Sequence, residues 1–208
     1  MMINRRLTLA ALLTLPTPLW AQGAVLGAED KALVDRAVAY LEGLASVKGR
    51  FSQTDPRGRV ADGDFYLKRP GKIRLAYDPP NGLLVVSDGG VVSVEDKRLK
   101  TPPQQYPLGL SPLSLFLAKN IRLDRGVKVT KVEKMSDGFS VTARDAGGKT
   151  PGQITLIFAD NPLVLREWAI IDAQSGTTRV TLSDLAPATL DPDLFIVHRL
   201  QGRTTGPH

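Results

Sequence analysis

The 208-residue chain contains no cysteine. That excludes disulfides, thiolate metal sites, iron–sulfur clusters and thiol nucleophiles, and with them a lipid-modified N-terminal cysteine. Histidine is nearly absent as well: His198 and His208 are the only two. A Ser-His-Asp triad would have to use one of them, and no Gly-x-Ser-x-Gly stretch accompanies them. The spacings of zinc proteases, EF-hand loops, phosphate loops and dinucleotide-binding turns are missing. Asp191 and Asp193 flank Pro192 with the spacing of a turn. Aromatic residues make up 6% of the chain, which argues against a carbohydrate cleft, although paired carboxylates from distant strands stay open. The expectation is a non-enzyme without cofactor or metal.

Long apolar runs are also lacking. The one candidate is N-terminal, MMINRRLTLAALLTLPTPLWAQGA, where Arg5 and Arg6 precede an apolar stretch from Leu7 to Leu15. A membrane-spanning helix needs about 20 apolar residues, whereas this length, followed by Pro16, Pro18 and the small Ala21 and Ala24, fits a secretory signal peptide. Cleavage after Ala21 is expected; Arg5-Arg6 leaves general and twin-arginine export both open. Removing those two arginines from the 27 basic residues leaves 25 against 21 acidic, a net charge of +4. The basic residues are dispersed, so no nucleic-acid stripe is expected. The reading is a signal peptide at 1–21, a single exported domain at 22–200 and a loose tail at 201–208.

What is present is mostly strand. Residues 28–47 predict an amphipathic helix, with Leu33, Ala37, Leu41 and Leu44 on one face and Gly49 beyond its end. Phe51 opens an extended segment. Phe65 and Leu67, then Ile73, Leu75 and Tyr77, alternate with polar neighbours in the period of half-buried strands. Residues 83–86 and 91–95 form a hairpin through Ser87-Asp88-Gly89-Gly90, followed by a loop from Thr101 to Gly109. Ser111 and Pro112 suit the N-cap and first position of a short apolar helix carrying Leu113, Phe116 and Leu117. Strands are expected near 127–133, 138–145, 153–158, 163–171 and 178–183, with a last extended piece at Leu194 to Val197. Ten or eleven short strands with tight turns suggest an antiparallel meander, curled or closed to limit its edges. The aliphatic strand faces and the apolar helix fit either an ordinary core or a barrel holding an apolar ligand.

The order of several stretches resembles the LolA family of periplasmic outer-membrane lipoprotein carrier proteins. They are ASVKGRFSQ at 45–53, GDFYLKRPGKIRLAYDPP at 63–80, LVVSDG at 84–89, YPL at 106–108, SPL at 111–113, FLA at 116–118, NPL at 161–163, Trp168 and TRVTL at 178–182. The resemblance spans about residues 28–197. It implies an incomplete antiparallel barrel of about eleven strands, with helices as a lid over a hydrophobic cavity. The implied ligand is the acyl portion of a lipoprotein. The implied partners are the inner-membrane lipoprotein-releasing ABC transporter and an outer-membrane lipoprotein acceptor of the same fold, in a Gram-negative periplasm, with the carrier a monomer. The missing cysteine marks this chain as the soluble carrier rather than the lipid-anchored acceptor.

Arg69 falls on the family's arginine before proline and, by resemblance, is the lid latch, hydrogen-bonding lid carbonyls; its five donors and permanent charge suit that task. The cavity residues expected by face are Phe65, Leu67, Ile73, Leu75, Val85, Leu113, Phe116, Leu117, Trp168 and Ile170. Strand parity alone leaves each row open between cavity and core. The chain departs from the family where Tyr66, Tyr77 and Leu83 stand in a neighbourhood often richer in tryptophan, and after Phe195, where it ends Ile196-Val197-His198-Arg199-Leu200. A related lipid-binding or signalling sensor module with the same fold is the alternative function.

Overall fold

The computed structural model describes residues 26–121 and 126–198. The expected signal peptide and its cleavage point, the tail at 201–208 and His208 lie outside the described residues.

Helix α1 covers Ala28–Gly43, with Glu29 and Asp30 in its first turn, where the helix dipole favours anions. Val34, Ala37 and Leu41 are buried, and Leu33 and Leu44 pack half-buried beside them. The helix expected to reach Val47 stops at Gly43. Glycine costs a helix interior about 1 kcal/mol relative to alanine, and the residues beyond it have better partners in the sheet. Ser46 Oγ donates to the Ala188 carbonyl at 2.7 Å, and Val47 is buried opposite Leu67. Gly49 therefore lies within a strand.

Strands β1 (Ser46–Thr54), β2 (Val60–Lys68), β3 (Lys72–Tyr77), β4 (Leu83–Asp88), β5 (Val91–Asp96) and β6 (Gln104–Pro107) form one antiparallel meander. A 3-10 turn at Leu108–Leu110 and the short helix α2 at Leu113–Leu117 follow. Strands β7 (Val127–Met135), β8 (Gly138–Asp145), β9 (Gln153–Asp160), β10 (Leu163–Ile171) and β11 (Thr177–Pro187) form the second meander. Because β11 pairs with β1, the halves join in one eleven-stranded sheet that runs from β6 at one edge to β7 at the other. The sheet curls into an incomplete barrel. The chain passes from one edge to the other through Leu108–Leu117, so the topology itself lays α2 over the interior as a lid.

Register shifts at Lys48/Arg50 in β1, Val129/Lys131 in β7 and Leu165/Glu167 in β10 supply local bends. Gly63 in β2 permits close packing: a Cβ there would lie 2.3 Å from the Ala76 carbonyl and 2.6 Å from the Phe51 ring. Edge strand β7 carries Lys128, Lys131, Glu133 and Lys134, charges of the kind that discourage edge-to-edge pairing. Ion pairs Lys134–Glu29 and Arg36–Asp160 tie α1 to the sheet; being exposed, they add little stability.

Two further expectations need correction. The loop from Thr101 to Gly109 contains β6, whose glutamines and proline have weak strand propensity and which exists because β5 offers it a partner. The C-terminal piece is not extended at Leu194: Pro192–Phe195 is a 3-10 turn, started by proline and by the Asp191 carboxylate accepting from the Asp193 amide. That turn packs on the outer face of β3 and β4, with Phe195 and Leu190 buried. Lys68 Nζ and Arg74 Nη1 donate to the Leu190 and Leu194 carbonyls from below. The molecule therefore has an inner core under the lid and a smaller apolar cluster outside the sheet.

Candidate functional site

The stretch from Gly63 to Leu75 sets the site. Alternation along β2 and β3 points Phe65, Leu67, Ile73 and Leu75 to the concave side, where all four are buried. The register pairs Leu67 with Ile73, Phe65 with Leu75, and Leu75 with Val85 on β4. Val85 is half-buried against this cluster. From the other half of the sheet, Trp168 on β10 enters the same interior at 1% exposure, with Ile170 half-buried beyond it. Its ring centroid lies 5.8 Å from that of Phe65 and 5.9 Å from that of Phe116 on α2. Trp168 thus connects the floor of the interior to the underside of the lid.

Helix α2 begins as its sequence suggests. Pro112 has helical angles, Ser111 is extended, and Ser111 Oγ accepts from the Leu113 amide at 3.3 Å. Phe116 and Leu117 face inward and are fully buried, while Leu113 is half-buried. A helix of five residues leaves its final carbonyls without intrahelical partners, and the β2–β3 turn supplies them. The Arg69 guanidinium donates to the Phe116 carbonyl through Nη2 and to the Ala118 carbonyl through Nη1, the latter at 2.6 Å. The Gly71 amide donates to the Leu117 carbonyl at 2.9 Å. A cation at a helix C-terminus also interacts favourably with its dipole. Arg69 lies over the Phe116 ring, 5.5 Å from its centroid. Gly71 has φ +75°, and a Cβ on it would lie 2.5 Å from the Gly89 Cα, so the turn that presents these donors requires glycine.

Burial pulls the Arg69 pKa down to about 10, against the opposing influence of the nearby Glu42 carboxylate. Arg69 remains charged at neutral pH, and its Nε is buried without a partner. Glu42, at the end of α1, accepts from the Ile121 amide at 3.2 Å, so α1 reaches the segment that follows α2.

The interior is nearly full. A cavity of about 30 Å³ lies under α1 and α2, lined by Leu41, Phe116, Ile121, Val141, Ile154, Leu156 and other apolar residues, room for about one or two waters. Of the ten cavity residues expected from sequence, Phe116 is the one that lines this space; the other nine pack in the continuous core around it. Sequence reading missed the β8 and β9 wall, where Val141 pairs with Leu156 and Ala143 with Ile154. Alternation in 138–145 and 153–158 carried that signal.

No group of three or more His, Cys, Asp or Glu positioned for a metal occurs among the described residues. His198 is exposed, and its backbone carbonyl accepts from Gln105 Nε2. The arrangement provides an apolar interior, a short lid and a charged side chain holding the lid by its backbone.

Residues 42–198 match the family described as outer membrane lipoprotein carrier protein LolA. An outer-membrane lipoprotein carrier protein from Chromobacterium violaceum is 29% identical over 165 residues, covering 76% of this chain and 79% of that one. Another from Nitrosomonas europaea is 26% identical over 174 residues, covering 79% and 81%. A crystal structure of a LolA superfamily protein from Nitrosomonas europaea aligns with 78% of this chain and 97% of its own, at 10% identity and a TM-score of 0.45.

Proposed function

Because the chain belongs to the LolA family of outer membrane lipoprotein carrier proteins, non-catalytic proteins of the periplasm, we propose that it shields lipoprotein acyl chains beneath its lid and moves them from the inner to the outer membrane. It accepts cargo from the inner-membrane lipoprotein-releasing ABC transporter and hands it to an outer-membrane lipoprotein acceptor, working as a monomer. Burying acyl carbon is worth roughly 0.8 kcal/mol per CH₂, so a chain of about 16 carbons represents about 12 kcal/mol. A carrier needs shielding and release rather than catalysis, which a lid with two positions supplies.

The observation that carries this reading is the Arg69 guanidinium on the Phe116 and Ala118 carbonyls, above an interior that is apolar and almost filled. Arg69 is the latch of the empty, closed carrier. Phe65, Leu67, Ile73, Leu75, Val85, Trp168 and Ile170 form the sheet side of the space that opens when Leu113, Phe116 and Leu117 lift away. The test is purification of tagged protein from the periplasm at native expression level. Intact lipoproteins should copurify through their acyl chains. Protein that never carries them, or that instead captures a signalling partner, would overturn the assignment.

A further inference from the structure

The lid has a second attachment, at its other end. The β8–β9 turn comes from the opposite half of the sheet to β6. Its Thr150 is 8% exposed and donates through Oγ1 to the Gly109 carbonyl at 2.7 Å. Gly109 lies in the 3-10 turn through which the chain leaves edge strand β6. The turn bearing Thr150 is organised by Asp145, whose carboxylate accepts from the Gly147, Lys149 and Thr150 amides. The same base of the lid is held from the near side, where the buried Leu108 donates its amide to the Gly90 carbonyl at 2.9 Å. The Thr150 bond thus links the β6 side to the β7–β9 side, two parts of the sheet that share no ladder.

We propose that Thr150 is a positioning residue that pins the base of the lid, so that the lid swings open from the Arg69 end while Gly109 stays in place. The two attachments differ in kind. At the Arg69 end, a partly buried cation on a long side chain holds the helix through two backbone carbonyls and the Phe116 ring, and one of its nitrogens is buried unpaired. At the base, a short, β-branched side chain in a carboxylate-capped turn makes the bond, and a β-branched side chain has few rotamers to lose. The base runs directly out of β6 and is held from both halves of the sheet, by Thr150 on Gly109 and by the Leu108 amide on Gly90, so the Arg69 end is the one that lets go. Pinning the base also ties the open edges together, so the sheet keeps its curl while the interior is exposed. This inference rests on the carrier reading for its purpose, but its geometry needs no cargo.

Three backbone amides report the two ends separately in hydrogen exchange of the purified, empty full-length protein. Leu108 and Ser111 bond to the Gly90 and Leu108 carbonyls at the base, and Gly71 bonds to the Leu117 carbonyl at the swinging end. In Thr150→Val, which keeps the shape and removes the hydroxyl, the Leu108 and Ser111 amides should exchange roughly tenfold faster, the effect of one lost buried hydrogen bond. Thr150→Ser should restore the wild-type rates. Arg69→Ala should accelerate Gly71 and leave Leu108 and Ser111 unchanged. Equal rates in Thr150→Val and wild type would overturn the pin. So would acceleration spread evenly over the β-strands, or failure of serine to rescue. Absence of lipoprotein from the wild-type protein would sink the carrier reading and leave this exchange pattern standing.

Discussion

Replacing Arg69 by alanine tests the latch most directly. The guanidinium makes two hydrogen bonds to lid carbonyls, and bonds from a charged donor contribute about 1.5–3 kcal/mol each. Its position over Phe116 adds about 0.5–1 kcal/mol. Against this stands the cost of desolvating a cation whose Nε has no partner, the same burial that draws its pKa down to about 10. Because the side chain is only partly buried, the gain is further discounted for solvent screening, leaving about 2 kcal/mol in favour of the closed lid. That corresponds to about 30-fold in the closed-to-open ratio. A carrier whose binding-competent state is open loses the same factor in apparent affinity. Arg69→Ala should therefore open more readily, hold lipoprotein more tightly and deliver it to the acceptor more slowly. Trp168 is the only tryptophan beyond Trp20, and its ring lies near Phe116, so its emission should shift to longer wavelength in the variant. Delivery is read as the rate at which labelled lipoprotein leaves the purified carrier for acceptor-bearing membranes. Unchanged Trp168 emission together with unchanged delivery would refute the reasoning. Arg69→Lys, which keeps the charge but loses the fork, should fall between wild type and alanine.

Gly71→Ala places a Cβ at positive φ and 2.5 Å from Gly89; it should destabilise the turn by more than about 1 kcal/mol, read as a lowered thermal midpoint and faster exchange of its own amide. Phe195→Ala should cost about 3 kcal/mol, or roughly 6–12 °C in Tm for a chain of this size, although it lies outside the inner core; a change below 2 °C, checked by calorimetry, would mean the outer cluster holds nothing in place. Backbone amides, first that of Thr150, hold the Asp145 carboxyl below the usual carboxylate range. A depressed folded pKa means stability that is present above the ordinary value near 3.8 and is lost as pH falls through the folded one. Asp145→Asn should therefore be less stable than wild type at pH 6, with the difference shrinking in acid; denaturant midpoints across pH 2–6 measure it, and a constant difference would contradict the capping role.

Much of this architecture is local and legible in the chain. Alternation from Phe65 to Tyr77 sets the strand faces because successive side chains point to opposite sides. Ser111-Pro112 starts α2 because both residues act on their own neighbours. Local pattern misled where a distant partner outbid it. Residues 44–47 continue a helical period, yet Ser46 and Val47 are drawn into the sheet by Ala188 and Leu67. Gln104–Pro107 read as loop until β5 paired with it, and Leu194 read as extended until Asp191 capped a turn over the outside of the sheet.

For the candidate site, the sequence alone determined which residues are apolar, which strand face carries them, and that an arginine stands at the end of β2. Family resemblance pointed to Arg69 and to lid carbonyls as its acceptors, but not to which ones, because backbone carbonyls carry no signature in residue identity. Tertiary structure decided that these carbonyls end a helix too short to satisfy them, that Trp168 meets both Phe65 and Phe116, and that Thr150 reaches Gly109 from the opposite half of the sheet. It also decided that the expected cavity rows are packed together with the lid in place. The physical reason is the same in each case. A two-residue period tells a side chain which way to face, and only the pairing of β1 with β11, far apart in the chain, determines what it meets there.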